Sequence, residues 1–262
     1  MSEAQDHDAG QPGLPRLGGP APAFEAETTH GRLALEDFRG SWVVLFSHPA
    51  DFTPVCTTEF VEFAKLAPSL RERGVELLGL SIDSIYAHLA WTRTIEQGFG
   101  VEIGFPVIAD SDRRVAKLYG MIMPEDSTTE TSRCVFVIDP NGRIRAMIYY
   151  PLTTGRNMDE IVRVIDALQT TDAHQVATPA NWRPGDRVIL PAPRTAEAAA
   201  QRGLGDGPGD LQLQGEGLAG AGGGQSIAQR QAFIEAFATD PHPPFQRALR
   251  QCEAFAIHAA LG

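Results

Sequence analysis

Short apolar runs alternate with longer amphipathic runs between residues 42 and 170, and this alternation restricts the fold more than any other feature of the sequence. Three of the apolar runs predict buried strands: WVVLFS (42–47), VELLGLSI (75–82) and FPVIAD (105–110). Amphipathic spacing predicts helices over residues 57–73, 84–98, 111–120 and 158–169. Strands separated by helices usually share one sheet that the helices cover, so we expect an α/β fold.

The turn signal PNG (140–142) separates the apolar runs CVFVID and RIRAMIYY, and it predicts an antiparallel hairpin. A hairpin joined to strands that helices connect gives a sheet with both parallel and antiparallel neighbours. We therefore expect a central mixed β-sheet flanked by helices.

Composition excludes several classes of function. The 262 residues carry a net charge of −11, and no block of lysine and arginine forms a basic footprint, so we expect no nucleic acid partner. No run of about 18 apolar residues occurs, and the N-terminus is neither basic nor apolar, so we expect no membrane span and no secretory signal. Three cysteines without a CxxC pattern favour a reducing compartment, which predicts a cytoplasmic protein.

Cys56 stands where the first buried strand gives way to the first predicted helix, in the stretch SHPADFTPVCTTEF. A thiol in the first turn of a helix meets unpaired backbone N–H groups and the positive end of the helix dipole, and both favour the thiolate. Thr53 lies three residues earlier, where its hydroxyl can reach the sulfur, and Pro49 and Pro54 stiffen the loop. The pattern P-x-x-x-T-x-x-C at this junction therefore indicates a reactive thiol.

The stretch SHPADFTPVCTTE resembles the peroxiredoxins, in particular their one-cysteine branch, since Thr57 follows the cysteine where the two-cysteine branch usually has proline. The resemblance extends over about residues 17–193 and includes the segments APAFEAETTHGRLALEDFRGSW, LLGLSIDSIYAHLAW, FPVIAD, YYPLTTGRNMDEIVRVIDALQ and VATPANWRPGDRVILPAP. It implies a thioredoxin-like fold. It also implies a thiol-specific peroxidase that reduces hydrogen peroxide and organic hydroperoxides to water and alcohols, in antioxidant defence and redox homeostasis.

Four catalytic residues follow from the resemblance. Cys56 is the expected peroxidatic nucleophile, which passes through a sulfenic acid, and Arg133 in TSRCVFVIDP is the distant arginine that completes the site. A guanidinium there would favour the thiolate and donate hydrogen bonds to both peroxide oxygens as charge shifts. Thr53 would bind sulfur and substrate without adding charge, and Pro49 would shield the pocket from water.

Three further residues are expected to bind the substrate. Glu59, one helical turn after Cys56, would orient Arg133 through a salt bridge. His48 matches a histidine that accompanies the one-cysteine motif, and Arg156 in TTGRN is expected as a second arginine near the pocket. We expect no cofactor and no metal, because metal-ligand spacing is absent around the remaining histidines: His30, His88, His174, His242 and His258.

The sulfenic acid must be reduced by a second thiol of this chain or by an external one. Cys134 opens a buried strand and is expected to pack in the core. Cys252 lies on the apolar stripe of the last predicted helix, and a flexible tether would let it travel, so its role as a resolving thiol stays open. We favour an external thiol or another reductant, whose identity the sequence does not reveal.

Composition divides the chain into five segments. Residues 1–16 are expected to form a disordered tail, and residues 17–170 the peroxidase domain. Residues 171–198 predict an extended C-terminal arm, which by the resemblance makes the dimer contact, so we expect a homodimer or a ring of dimers. Residues 199–225 form a glycine-rich linker, and residues 226–262 predict a helical tail that has no counterpart in the family.

Two alternative functions are weighed against the peroxidase. Some one-cysteine peroxiredoxins are also phospholipases with a G-x-S-x-G-like elbow, but around Ser41 this chain has Arg39 and Val43 in place of small residues and Glu36 in place of the expected histidine. A thioredoxin-fold chaperone or oxidant sensor is the non-enzymatic alternative. A sensor reacts once per thiol, whereas a peroxidase turns over when a reductant is supplied.

Overall fold

The computed structural model describes residues 14–192, 194–197 and 213–214. Predictions for residues 1–13, for most of the glycine-rich linker and for the helical tail with Cys252 lie outside the described residues. The chain divides into two compact units, the first running to Arg156 and the second beginning at Asn157. No helix among the described residues is long and apolar enough to cross a membrane.

The first unit contains a seven-stranded mixed sheet. Its strands are β1 (Glu25–Thr28), β2 (Gly31–Ala34), β3 (Trp42–Ser47), β4 (Val75–Ser81), β5 (Val107–Ala109), β6 (Arg133–Ile138) and β7 (Ile144–Tyr150). They lie in the order β2-β1-β5-β4-β3-β6-β7. Neighbours among β3, β4 and β5 are parallel, and all other neighbours are antiparallel. The predicted central mixed sheet is confirmed.

The helices of the first unit connect these strands. They are α1 (Pro54–Glu72), α2 (Ile85–Phe99), α3 (Arg114–Leu118) and a single 3-10 turn (Leu35–Phe38). Helix α1 begins earlier than the predicted residue 57, because proline suits the first helical position, where no backbone N–H is needed. It ends as predicted before Gly74, whose φ of 68° is the left-handed conformation that closes a helix.

The sequence pattern missed the hairpin formed by β1 and β2. The residues of these strands are polar or only half-buried for the most part, so no apolar run marks them. Strands β3 and β6, in contrast, are buried along their whole length, and their continuous apolar runs were recognisable.

An aromatic cluster joins helix α1 to the sheet. The ring of Phe46 on β3 stacks on Phe63 of α1 at a centroid distance of 4.0 Å, and it meets Phe60 edge-on at 5.6 Å. Such pairs add about 0.5–1.5 kcal/mol each to the hydrophobic gain of burial. These contacts fix the N-terminal half of α1 against β3, the strand that precedes it in the chain.

The second unit contains α4 (Met158–His174) and β8 (Val188–Ile189). Its segment from Ala177 to Ile189 folds back on itself, since these two residues exchange two backbone hydrogen bonds of 2.8 Å. Trp182 is buried inside this loop, and its indole N–H donates to the Asp186 carbonyl over 3.1 Å. The extended arm expected from the four prolines is thus a compact loop, because burying the indole favours closure.

A short strand lies where the glycine-rich linker was predicted. Strand β9 (Leu213–Gln214) pairs antiparallel with β8 in the second unit. The boundaries predicted for the five segments remain predictions.

Candidate active site

Cys56 lies in the first turn of α1, and its side chain is 0% exposed. Thr53, with extended φ and ψ of −90° and 147°, precedes the helix, and Pro54 is its first residue. The chain enters this turn through Phe52, whose φ of 58° is strained for a bulky residue. Cys56 therefore lies among the first residues of the helix, whose backbone N–H groups have no partner within the helix itself.

Arg133 extends from the first position of β6 to the sulfur. Its Nη1 donates to Cys56 Sγ over 3.3 Å and to Glu59 Oε2 over 2.7 Å. The other edge of the guanidinium donates from Nε and Nη2 to the Leu152 carbonyl over 2.9 and 2.8 Å. With bonds on both sides, this almost fully buried guanidinium is held in one orientation.

Glu59 joins the two arginines of the site. Its Oε1 accepts from the backbone N–H and the Nε of Arg156 over 2.8 and 3.0 Å, and its Oε2 accepts from Arg156 Nη2 over 2.7 Å. Burial raises the pKa of Glu59, but the charges and hydrogen bonds of Arg156 and Arg133 outweigh burial and lower it overall. Glu59 is therefore ionised at neutral pH.

The charges of this group favour an anion on the sulfur. Two guanidinium groups and one carboxylate sum to one positive charge, and all three side chains are nearly inaccessible to water. A thiolate on Cys56 would bring the cluster to neutrality, whereas a thiol would leave one buried charge without a counterion.

The hydroxyl of Thr53 makes a different bond from the expected one. It donates to the Ala50 carbonyl over 2.9 Å, so its proton is directed away from the sulfur. The hydroxyl oxygen keeps lone pairs that can accept a hydrogen bond from another group. Pro49 is buried beside this loop, as a residue that excludes water must be.

His48 belongs to a buried polar cluster that sequence analysis did not find. Its Nε2 lies 2.8 Å from Asp51 Oδ1, and His88 Nδ1 lies 2.7 Å from Asp51 Oδ2. The second nitrogen of His88 bonds the Ile108 carbonyl over 3.1 Å. The spacing of His48 and Asp51 was a usable signal, but His88 is brought in from α2, and nothing local marks it.

Protonation of this cluster follows from its partners. Burial lowers the pKa of His48, so its ring is neutral at pH 7. Burial raises the pKa of Asp51, but the hydrogen bonds from both histidines outweigh burial and lower it. His48 then donates from Nε2 to the carboxylate, and its buried Nδ1 is left as an acceptor without a hydrogen-bond partner among the described residues.

The same three side chains are the metal-compatible set in the described part of the chain. Their ligand atoms lie within 4.8 Å of one another, and all three residues are buried. Their bonds to one another and to Ile108 account for this proximity, and the unpaired Nδ1 of His48 is not the nitrogen that faces Asp51. The geometry does not single out a metal centre.

Cys134 differs from Cys56 in its surroundings. Burial raises the pKa of the Cys134 thiol to about 12, so the group is protonated and unreactive at neutral pH. Its side chain is fully buried among core residues, as expected from its position in an apolar strand.

Comparison with known proteins identifies related sequences along most of the described chain. The model of the AhpC/TSA family matches residues 17–147, and the model of the C-terminal domain of 1-Cys peroxiredoxin matches residues 167–205. A peroxiredoxin of Aquifex aeolicus is 58% identical over 200 residues, which cover 72% of this chain and 90% of that protein. Peroxiredoxin 2 of Caldanaerobacter subterraneus is 55% identical over 189 residues, with 72% and 86% covered.

Solved structures show the same relationship. The yeast mitochondrial 1-Cys peroxiredoxin is 48% identical with a TM-score of 0.65, and the match covers 68% of this chain and 87% of that one. A cysteine-to-serine mutant of peroxiredoxin 6 of Arenicola marina is 44% identical with a TM-score of 0.67, with 71% and 88% covered. The expected thioredoxin-like fold is thereby confirmed.

Proposed function

The chain belongs to the AhpC/TSA family and is a peroxiredoxin, a thiol-dependent peroxidase, and on that premise we propose that Cys56 is its peroxidatic nucleophile and Arg133 its principal catalytic partner. One observation carries this proposal. The Nη1 of Arg133 lies 3.3 Å from Cys56 Sγ in a site from which water is excluded, at the positive end of α1. Fixed donors in such a site stabilise charge on sulfur and on the oxygen that leaves it.

The proposed reaction begins with the Cys56 thiolate. Its sulfur attacks the terminal oxygen of a hydroperoxide, an S–O bond forms, and the O–O bond breaks. The sulfur loses two electrons and becomes a sulfenic acid that keeps the hydrogen of the terminal O–H, while the other oxygen leaves as alkoxide or hydroxide and takes a proton from solvent water. Hydrogen peroxide thus yields water, and an organic hydroperoxide yields an alcohol.

The neighbouring residues have distinct roles in this proposal. Arg133 donates to the oxygen on which charge develops. Glu59 and the Leu152 carbonyl hold its guanidinium in place, and Arg156 in turn holds Glu59. Thr53 accepts a hydrogen bond from the O–H of the incoming hydroperoxide on a lone pair of its oxygen, while its own O–H keeps donating to the Ala50 carbonyl. Pro49 excludes water from the pocket.

His48 is proposed to contact the substrate side of the site. The neutral ring offers its Nδ1, which has no hydrogen-bond partner in the part of the chain that the structure describes, as an acceptor for a hydrogen-bond donor. This role is independent of the charged group around Glu59, because His48 bonds Asp51 instead.

An external thiol is proposed to restore the enzyme. It attacks the sulfenic acid and forms a mixed disulfide with release of water, and a second thiol then displaces Cys56 and completes the reduction. Cys134 is a poor candidate because its thiol is protonated and buried. A glutathione- or thioredoxin-type reductant is supported by the yeast relative, whose thiol-resolving mechanism is described as proceeding via those systems.

Assembly and location are proposals of the same kind. We propose a homodimer, or a ring of dimers, with the 171–198 segment at the dimer contact. The match of residues 167–205 to the C-terminal domain of 1-Cys peroxiredoxins supports a shared role for that segment. The small number of cysteines supports a cytoplasmic location.

Peptide mass analysis tests the central proposal. The reduced protein receives about one equivalent of hydrogen peroxide without reductant, and we expect one oxygen atom on Cys56 and none on Cys134. Cys56→Ser should abolish peroxide consumption while the protein stays folded, and Cys134→Ala should leave it unchanged. An unmodified Cys56, or a disulfide between Cys56 and Cys252, would contradict the proposed nucleophile or the proposed external reductant respectively.

A turnover assay separates the peroxidase from a sensor. With a supplied dithiol we expect many peroxides consumed per Cys56, whereas a sensor would stop after one.

A further inference from the structure

The antiparallel ladder between β3 and β6 stops just before the active site. Its last pair is Phe46 with Val135, and the same register would next place Ser47 opposite Cys134. At this point hydrogen bonds of a side chain take the place of the backbone hydrogen bonds between the two strands. The Ser47 hydroxyl donates to the Ser132 carbonyl over 2.6 Å, and the Cys134 N–H donates to the Ser47 hydroxyl over 3.1 Å.

These two backbone groups lie on either side of Arg133. One small hydroxyl therefore holds the chain immediately before and immediately after the residue that reaches Cys56. Ser47 is 0% exposed, so water cannot substitute for the hydroxyl if it is removed.

A second hydroxyl supports the same junction. Thr131 Oγ1 donates to the His48 carbonyl over 2.7 Å, again between the end of β3 and the start of β6. Thr131 and Ser132, just before β6, are thus bonded to His48 and Ser47 at the end of β3. Both bonds are donated by buried hydroxyl groups, those of Thr131 and Ser47.

Ser47 also leaves its own carbonyl free for the second arginine. The Cys134 N–H is shared between the Ser47 hydroxyl, over 3.1 Å, and the Ser132 carbonyl, over 3.0 Å. The Ser47 carbonyl accepts from Arg156 Nη1 over 2.8 Å, and the Cys134 carbonyl accepts from the same nitrogen over 3.1 Å. The guanidinium of Arg156 therefore lies between the two strand ends, where a ladder hydrogen bond would otherwise join them.

We propose that Ser47 is a positioning residue of the peroxidase site, whose hydroxyl, assisted by Thr131, fixes the backbone of Arg133 so that its guanidinium meets the sulfur. The inference rests on the proposed roles of Cys56 and Arg133. Ser47 acts through the backbone and not on the substrate. A misplacement of about 1 Å far from the reacting atoms can cost about 100-fold in rate, so a backbone restraint of this kind bears on catalysis.

The test compares two reactions of the same sulfur. Reaction with iodoacetamide needs only an accessible thiolate, whereas reaction with hydrogen peroxide also needs the arginine donors in place. We expect Ser47→Ala to lower the ratio of the peroxide rate to the alkylation rate by about ten-fold, within the range seen for misplaced catalytic groups. Ser47→Thr, which keeps the hydroxyl, should restore most of the ratio.

Thr28 provides a matched control. Its buried hydroxyl donates to the Gly31 carbonyl over 2.7 Å and accepts from the His30 N–H over 3.0 Å, at the end of β1. Thr28→Val removes two hydrogen bonds, as Ser47→Ala does, although those of Thr28 are only part-buried. It should therefore lower stability and leave the rate ratio unchanged.

The outcomes distinguish this inference from the proposed function. A folded Ser47→Ala protein with an unchanged ratio, or one whose ratio falls no further than in Thr28→Val, would overturn the role of Ser47 while Cys56 stays the nucleophile. If Ser47→Ala does not fold, Thr131→Val decides, since a lower ratio supports the proposal and an unchanged ratio overturns it. Full peroxide reactivity in Cys56→Ser would instead refute the proposed function itself.

Discussion

Glu59 is a single carboxylate that neutralises parts of two buried guanidinium groups. It bonds Arg133 and Arg156 with contacts as short as 2.7 Å, and its exposed fraction is 3%. Buried ion pairs contribute little net stability when complete, but losing one partner leaves an uncompensated charge in a medium that solvates it poorly. The site is therefore more sensitive to the loss of this carboxylate than to most other surface or core changes.

Replacing Glu59 by glutamine should destabilise the protein and slow peroxide reduction. We expect the free energy of unfolding to fall by about 3–5 kcal/mol, the usual cost of breaking a buried pair, as measured by urea denaturation. Glu62→Gln on the same helix is the matched control, because Glu62 pairs with Lys65 at an exposed position and should cost under about 1 kcal/mol. Equal losses in the two variants would contradict this account of the site.

The same substitution should change the acid dependence of stability. The pKa of Glu59 is lowered on folding, so its contribution is complete above its ordinary pKa of 4.5 and is lost as pH falls through the lower folded value. Wild-type stability should therefore decline below about pH 4.5, and Glu59→Gln should show a shallower decline in urea midpoints between about pH 6 and 3. The pKa of Asp51 is also lowered on folding, so stability of the variant should still decrease with falling pH, but less steeply than in the wild type.

At the residue scale, local motifs predicted some positions and missed others for a physical reason. Thr53 and Cys56 lie within one loop and the first turn of one helix, so their spacing suggested a shared site, to which the family resemblance added Glu59 and Arg133. The partners Ser47 and His88 act through tertiary contacts, with the Ser132 carbonyl and with Asp51, that no short pattern encodes.

Strand β6 serves different purposes at its two ends. Arg133 begins the strand at the active site, and the Asn141–Gly142 turn follows its other end. Gly142 has a φ of 71°, which residues with a Cβ adopt only with strain, and an added Cβ would also meet the Arg39 guanidinium. The stability of the hairpin and the chemistry of the site are thus separable along one element.

Gly142→Ala should lower stability without changing catalysis. We expect a loss of roughly 1–2 kcal/mol, from the left-handed backbone that alanine must adopt, in a thermal or urea unfolding experiment. The peroxide rate of the folded variant should equal that of the wild type. Asn141→Ala in the same turn is the control, and a rate loss specific to Gly142→Ala would show that the turn does influence Arg133.

At the element scale, burial decided what could be predicted. The buried strands β3 and β6 carry nearly continuous apolar runs, and β4 carries one that only Glu76 interrupts before its buried LLGL stretch. The PNG signal correctly predicted the hairpin that β6 forms with β7. The β1–β2 hairpin lies at the sheet edge with exposed, charged side chains, so its pairing is a tertiary outcome. Between Ala177 and Ile189 the described backbone folds back where the prolines had suggested an extended course, because prolines are equally compatible with turns.

The whole molecule combines an acidic chain with a small cationic site. The net charge is −11, while the buried group of two arginines and Glu59 carries one positive charge before the thiolate is counted. Net charge acts at long range on charged substrates and not on neutral ones.

Ionic strength should therefore separate substrates by charge. We expect the rate with hydrogen peroxide, a neutral molecule, to change by less than about two-fold between about 0.01 and 0.5 M salt. An anionic fatty-acid hydroperoxide should react faster as salt screens its repulsion from the acidic protein. A neutral alkyl hydroperoxide of similar size is the control, and a salt-independent rate with the anion would contradict long-range repulsion.

At this scale the α/β architecture was predictable, because alternating strands and helices permit few arrangements. The roles of the residues after about 205 were not, since they lie beyond both family matches.

Both arginines are restrained largely by main-chain carbonyls, those of Leu152 for Arg133 and those of Ser47 and Cys134 for Arg156. A carbonyl oxygen is common to all amino acids, so these hydrogen bonds do not depend on which side chain stands at position 152 or 134. They depend on the path of the backbone, and a change that moves the main chain at either position would displace a guanidinium even where the side chain itself touches neither arginine.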